Sequence, residues 1–273
     1  MTESAFSVSV LMCHAPIVIP DFAASRGELC CRTTAAMEKA ADLLVSRAPS
    51  VVVLLSPHTP RYRSAFGVVE GSTISGDFSS FGRPDLRAVF SSDRHIQENI
   101  ERIALELGVD VKPVPANRLD HGALVPLYFL KKAGFEGKVI VVGFPEEYSQ
   151  ASNAAMGSVL NKAALSGDGN WALLASGDMS HRLSPGAPAG FHPNANRFDR
   201  LVVKCVETGD YSGIVSIDED LRDIAAEDIV DSLQITHAAL KGDCVGRQFL
   251  SYEGPFGVGY MVAVLCDVRQ GKI

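Results

Sequence analysis

Short apolar runs alternate along the chain with longer stretches in which apolar residues recur every three or four positions. Ser7–Met12, Ser50–Leu55, Lys138–Phe144 and Trp171–Ala175 are largely apolar throughout, the pattern of strands covered on both faces. Gly27–Arg47 places Leu29, Ala36, Ala40, Leu43 and Leu44 at helical intervals. Asp93–Leu107 is an amphipathic helix with Ile96, Ile100, Ile103, Ala104 and Leu107 on one face and Gly108 as its stop. Val109–Val114 reads as a short strand, followed by a helix through Leu124, Leu127, Tyr128, Leu130 and Lys131. Further helices are predicted over Ala151–Ala164, Asn196–Glu207 and Asp218–Leu240, the last with a break near Ala226–Asp228. Arg247–Glu253 and Gly257–Asp267 form a closing hairpin around Gly254-Pro-Phe-Gly257. The stretch from Thr59 to Asp93 is irregular and rich in Gly, Ser, Phe and Pro. It reads as a long loop or hairpin over one end of the sheet, and long loops of this kind often serve as lids.

Strands alternating with helices predict an α/β fold. The expectation is a single domain over residues 1–273, with a mostly parallel, mixed central sheet, helices on both faces and a C-terminal β-hairpin. At 47% hydrophobic and 21% charged residues the chain has the material for a large core, and its net charge of −7 argues against a nucleic-acid or anionic-membrane surface. No apolar run approaches the roughly 20 residues that cross a bilayer, and Met1-Thr-Glu-Ser-Ala-Phe lacks the features of a secretory leader. The six cysteines show no C-x-x-C pair and no regular spacing, so the expectation is reduced thiols in a cytoplasmic protein.

The histidines change this picture from a generic fold to a candidate site. His14 follows the strand Ser7–Met12, His58 follows Ser50–Leu55, and His181 follows Trp171–Ala175 through the turn Ser176-Gly-Asp-Met-Ser180. The carboxyl edge of an open α/β sheet is where ligands bind. His121 sits at the junction Leu119-Asp-His-Gly122 and completes a set of four. His95 on the polar side of its helix and His237 inside a helical run read as structural, and His192 lies in a Pro/Gly loop. Neutral imidazoles suit Fe, Zn, Cu or Ni, and two of them with one carboxylate define the facial triad of non-haem Fe(II) oxygenases. Taken by itself, Glu227 in Ala225-Ala-Glu-Asp228 reads as a solvated acid in an acidic stretch.

An ordered set of short motifs runs through nearly the whole chain. His14-Ala-Pro, Ser56-Pro-His-Thr-Pro60, Ile74-Ser-Gly-Asp-Phe78, Leu119-Asp-His-Gly122 with Val125-Pro-Leu127, Ser176-Gly-Asp-Met-Ser-His181, Phe198-Asp199, Ala226-Glu227 and Gly257-Val-Gly-Tyr260 occur in that order. Together they resemble the class III extradiol ring-cleavage dioxygenases, the LigB-like superfamily, which also includes Memo-like proteins. The resemblance implies an Fe(II) ion (Mn, Zn or Cu as alternatives) held by His14, His58 and Glu227, with His121 and His181 as acid–base histidines around it. It implies a small catechol-type or 2-aminophenol-type substrate opened by O2 and, in some relatives, a small accessory subunit; a homo-oligomer is the expectation only as the common default for soluble proteins. Asp120 and Asp178 either fix histidine tautomers or cap turns, and Arg118 and Arg182 either meet an acidic substituent or lie on the surface. Ala226-Glu227 is followed here by Asp-Ile-Val-Asp rather than the Cys-Gly of some relatives.

The alternative reading is a Memo-like redox or signalling protein that replaces the carboxylate ligand with a cysteine, for which Cys244 is the candidate. A zinc hydrolase is disfavoured by the lack of an H-E-x-x-H helix. The glycines of Gly254–Gly259 lie between two strands, which is not the context of a nucleotide-binding loop.

Overall fold

In the computed structural model, residues 5–23, 28–117, 119–241 and 244–268 are described. The elements run β1 (Val8–Met12), α1 (Pro20–Ala23), α2 (Cys31–Ser46), β2 (Val51–Ser56), β3 (Phe66–Val69), β4 (Thr73–Phe78), β5 (Arg83–Ser91), α3 (Arg94–Glu106) and β6 (Val111–Val114). They continue with α4 (His121–Lys132), β7 (Lys138–Gly143), α5 (Gln150–Ser166), β8 (Trp171–Ser176), α6 (Ala195–Thr208), α7 (Ser212–Val215), α8 (Glu219–Ala225), α9 (Val230–Leu240), β9 (Gln248–Glu253) and β10 (Tyr260–Asp267).

Eight strands form one mixed sheet in the order β6-β3-β7-β2-β8-β1-β10-β9. Its centre is parallel: β2 pairs with β7 and β8, and β8 pairs with β1. Strands β10 and β9 add an antiparallel pair at one edge, as the closing hairpin predicted. The apolar runs are continuous because successive side chains face two separate layers. Val52, Leu54, Val139, Val141, Ala172 and Leu174 join α2 and α4 on one face. Val51, Val53, Leu55, Ile140, Trp171 and Leu173 join Met156, Val159 and Leu160 of α5 and Ile235 of α9 on the other. The chain is therefore the single α/β domain with a helix-flanked mixed sheet that its patterning implies.

The stretch from Thr59 to Asp93 is more ordered than a loop. Its first part supplies β3, which runs antiparallel to β7 and parallel to β6 within the main sheet. The rest is the hairpin β4–β5, a separate two-stranded sheet. The predicted helix from Gly27 begins at Cys31, and the one from Asp218 breaks where expected, with Ala226 in the left-handed region at φ 51° between α8 and α9. Asp93 caps α3 by accepting from the His95 amide, and the long helix buries Ile100, Ile103 and Ala104. No helix among the described residues is long and apolar enough to cross a membrane.

The expectation of six reduced thiols is corrected: Cys244 and Cys266 are joined as a disulfide across 22 positions. The amide of Asp267 donates to the carbonyl of Val245 at 2.9 Å, so β10 brings the two cysteines together by backbone pairing that no spacing rule reveals.

Candidate metal centre

Strands β2, β8 and β1 are neighbours and parallel, so the chain leaves all three at one edge of the sheet. His14 leaves β1, His58 leaves β2, and the turn Ser176–His181 leaves β8 between them. His14 Nε2 and His58 Nε2 lie 3.1 Å apart, with the two rings edge to face. His121, the first residue of α4, stacks on His58 with ring centroids 4.2 Å apart and meets His14 edge-on at 5.3 Å. The candidate ligand atoms of His14, His58 and His121 all lie within 4.8 Å of one another. His14 is buried and His58 is partly exposed, so the cluster opens to one side. Phe81, at the tip of the β4–β5 hairpin, packs edge-on against His121 at 5.1 Å and roofs the cluster.

The surrounding hydrogen bonds fix which nitrogen of each ring is available. Ser176 Oγ donates to the Gly122 carbonyl at 2.6 Å, so it can only accept from His14 Nδ1, 3.1 Å away. His14 thus carries a proton on Nδ1 and aims Nε2 at His58. His181 is held similarly: its Nδ1 donates to the Ala226 carbonyl at 2.7 Å, and its own amide donates to the Ala225 carbonyl at 2.9 Å. In the neutral ring, Nε2 is then the free acceptor. Asp120 accepts from Ser56 Oγ at 2.7 Å, Thr59 Oγ1 at 2.9 Å and the Ala123 amide at 3.2 Å. It therefore caps α4 and ties that helix, and with it His121, to the loop that carries His58.

The acidic residues divide sharply. Asp228 Oδ2 lies 3.4 Å from His14 Nε2 and 3.2 Å from His58 Nε2. Its other oxygen accepts from the Asp178 amide at 2.6 Å. Asp178 in turn accepts from the His14 amide at 2.9 Å, and its second oxygen sits 3.8 Å from His14 Nε2. Glu227, the acid singled out by the family resemblance, lies on the same turn but faces elsewhere. Its carboxylate accepts from Arg222 Nε at 2.6 Å and from the Ile229 and Val230 amides at 2.7 and 2.8 Å, a buried ion pair that also caps α9. Arg222 reaches Asp231 as well, at 3.1 Å. Sequence reasoning passed over Asp228; the signal available for it was only a second acid inside the predicted helix break.

Charge follows this arrangement. Burial disfavours the charged form of His14, but Asp178 and Asp228 outweigh it and raise the ring to about 9. Burial opposes ionisation of Asp228, yet His14 and His58 hold it well below the usual carboxylate range. Burial, with His58 and His14 beside it, lowers His121 to about 3. Asp178 is pushed up by burial against the pull of His14.

Of the remaining candidates, Arg182 opens with Tyr148, Arg222 and Glu227 onto a cavity of about 420 Å³, and its buried Nε has no protein partner. Arg118 lies outside the described residues. Cys244 is in the disulfide and so offers no thiolate to a metal. His95 is fully exposed on α3, and His237 stacks on Tyr211 within α9, as their structural reading implied.

The donor set fits a transition-metal ion. Two ligand atoms 2.0–2.2 Å from one ion and 90–109° apart are themselves about 2.8–3.6 Å apart. The His14, His58 and Asp228 atoms are separated by 3.1, 3.2 and 3.4 Å. A family model described as the catalytic LigB subunit of aromatic ring-opening dioxygenase matches residues 9–263. The chain belongs to the LigB family.

The chain resembles proteins of different descriptions. Protein CA_C1420 of Clostridium acetobutylicum is 29% identical over 266 residues, covering 93% of this chain and 56% of its own length. The 3,4-dihydroxyphenylacetate 2,3-dioxygenase of Escherichia coli is 29% identical over 135 residues, 48% of this chain and 49% of that enzyme. The match thus spans about half the length of each of these curated relatives. The crystal structure of an uncharacterized protein from Escherichia coli K12 shares the fold, with a TM-score of 0.64 at 17% identity over 94% of this chain and 98% of that one.

Proposed function

We propose that this LigB-family chain is a metal-dependent extradiol dioxygenase that opens the ring of a catechol-type or 2-aminophenol-type substrate with O2. The observation that carries the reading is the convergence of His14, His58 and an acid at one sheet edge, with His121 stacked on His58 and His181 on the turn that leaves β8. The family match and the partial likeness to 3,4-dihydroxyphenylacetate 2,3-dioxygenase support the reaction class. His14 and His58, with one acid from the Glu227–Asp228 step, would hold the ion, Fe(II) in the first instance. When bound, the ion lowers the pKa of a coordinated hydroxyl and supplies the electron transfer that O2 chemistry needs.

The side chains of this protein supply the rest. In the neutral ring of His181 the Nδ1 proton is committed to the Ala226 carbonyl, which leaves Nε2 as the acceptor that would serve as the base for a substrate hydroxyl. His121, fixed over the face of His58 by the Asp120 cap, stands where a hydrogen-bonding group meets a substrate bound beside His58. Phe81, at the tip of the β4–β5 hairpin, covers the His121 ring on this side. Both oxygen atoms of O2 enter the product, so a proton taken by one histidine must be returned during turnover, a task suited to a pair.

The test is anaerobic reconstitution with Fe(II) followed by O2 uptake against catechols, 3,4-dihydroxyphenylacetate and protocatechuate among them, and 2-aminophenol. Fe(II)-dependent uptake with a yellow ring-opened product is expected. Tight metal binding without uptake on any member refutes the dioxygenase reading and returns the Memo-like one.

A further inference from the structure

Two adjacent acids occupy the turn between α8 and α9, and their side chains leave it in opposite directions. We infer that Asp228, not Glu227, is the acidic ligand beside His14 and His58, and that Glu227 is a positioning residue that holds the turn. The inference rests on the metal-dependent reading above and sharpens it.

Three observations carry it. The first is the near-regular triangle of His14 Nε2, His58 Nε2 and Asp228 Oδ2, whose edges of 3.1, 3.2 and 3.4 Å match three ligands on one face of a single ion. The second is that Asp228 is already oriented for one-oxygen ligation: Oδ1 is committed to the Asp178 amide, leaving Oδ2 to the cluster. Asp178 also accepts from the His14 amide, so one side chain aligns a histidine ligand and its own amide aligns the acid. The third is that Glu227 has no capacity to spare. Its two oxygens take three donors, and turning it toward the histidines would strip the first turn of α9 and leave Arg222 with Asp231 alone. The cavity on the Glu227 side is lined by Tyr148, Arg182 and Arg222 and not by His14, His58 or His121.

The test compares Asp228→Asn, Glu227→Gln, His14→Ala and His58→Ala with the parent chain. Fe(II) and Co(II) affinity are measured by chelator competition, Co(II) visible absorption reports the ligand set, and circular dichroism confirms folding. Asn at 228 retains an acceptor for the Asp178 amide, so the turn stays in place while the charge is lost. Asp228→Asn is expected to bind metal more than about 100-fold more weakly and to alter the Co(II) bands. Glu227→Gln is expected to stay within the about 10- to 100-fold that loss of an orienting group costs, weaker in effect than Asp228→Asn, and to keep the parent spectrum. A folded Glu227→Gln that binds metal as weakly as Asp228→Asn, or an Asp228→Asn that binds like the parent, overturns the inference. Full metal binding by both histidine variants defeats the metal-centre reading itself, whichever acid is changed.

Discussion

Gly177→Ala is the smallest change expected to dismantle this site without touching any of its polar groups. Gly177 directly follows β8 and packs against the turn that carries Asp228. A Cβ built there would stand 2.5 Å from Ile229 Cα and 2.9 Å from Ile229 Cβ, where ordinary contacts begin at 3.4 Å. The obstacle is backbone, so the turn must retreat by about 1 Å. That retreat acts on the 2.6 Å hydrogen bond from the Asp178 amide to Asp228 and on the Asp228 distances to both histidines. Metal sites tolerate only about 0.2 Å in ligand distance, and losing an orienting contact costs about 10- to 100-fold in affinity. Overpacking itself costs about 1–3 kcal/mol, or roughly 2–4 °C in melting temperature per kcal/mol for a chain of this size.

The assay is metal competition on Gly177→Ala beside urea unfolding followed by the fluorescence of Trp171, the one tryptophan and fully buried. Gly108→Ala is the control. It sits at the end of α3 at φ +70° with nothing within 4 Å, so alanine there brings about 1 kcal/mol of backbone strain and no clash. The expected result is weaker metal binding only in Gly177→Ala, with both variants less stable than the parent. Parent-like metal affinity in Gly177→Ala would refute the claim that this contact sets the position of Asp228.

Two further outcomes follow from groups away from the metal centre. The Cys244–Cys266 link closes 22 positions, which in the chain-entropy treatment is worth about 3 kcal/mol, so Cys244→Ser/Cys266→Ser should lower the urea midpoint of the oxidised chain and match the parent under reductant; equal midpoints without reductant would count against it. Burial raises Asp199 from 3.8 to about 6 even though it accepts from Tyr252 Oη and the Ser180 amide. Its folded value lies above its unfolded one, so its contribution is complete below about pH 4 and lost as pH rises through 6, about 3 kcal/mol in all. The stability difference between the parent and Asp199→Asn should therefore change across that window, and a flat difference from pH 4 to 7 rules the idea out.

What could be read before folding was what depends on local pattern. The runs that became β2, β7 and β8 are buried on both faces, so their apolar continuity announces them, and His14, His58 and His181 stand out as polar residues at the ends of such runs. Strand β3 escaped because it is four residues long, sits in glycine-rich surroundings and owes its place to pairing with β6 and β7. The β4–β5 hairpin was only half legible, since β5 is exposed along most of its length and Val89 on its exposed side masks the alternation of Leu86, Ala88 and Phe90. The disulfide depends on the register of β10. Glu227 and Asp228 are chemically alike and adjacent, and only the left-handed backbone of Ala226 and the pull of Arg222 decide which of them meets the histidines. Residue type and spacing carry no information on that choice.

The same geometry explains why small residues lie between the histidines. Neighbouring strands are about 4.8 Å apart, so β1 and β2, on either side of β8, leave the sheet about 10 Å from each other. Two imidazoles reaching inward can close that gap to the 3.1 Å seen between His14 and His58 only if the chain leaving β8 stays low beneath them. Ser176-Gly177 meets that demand: the serine hydroxyl fixes the His14 tautomer, and the glycine admits the Asp228 turn. Gly122 meets it from the other side. A Cβ there would stand 2.6 Å from Ser56 Oγ and 3.3 Å from His58 Cδ2, so the close approach of α4, and with it the stacking of His121 on His58, requires a glycine at that position. The motifs Ser-Gly-Asp and Asp-His-Gly are therefore a packing condition as much as a chemical one. In the proposed function the histidines would supply the chemistry, and the small residues set the distances between them.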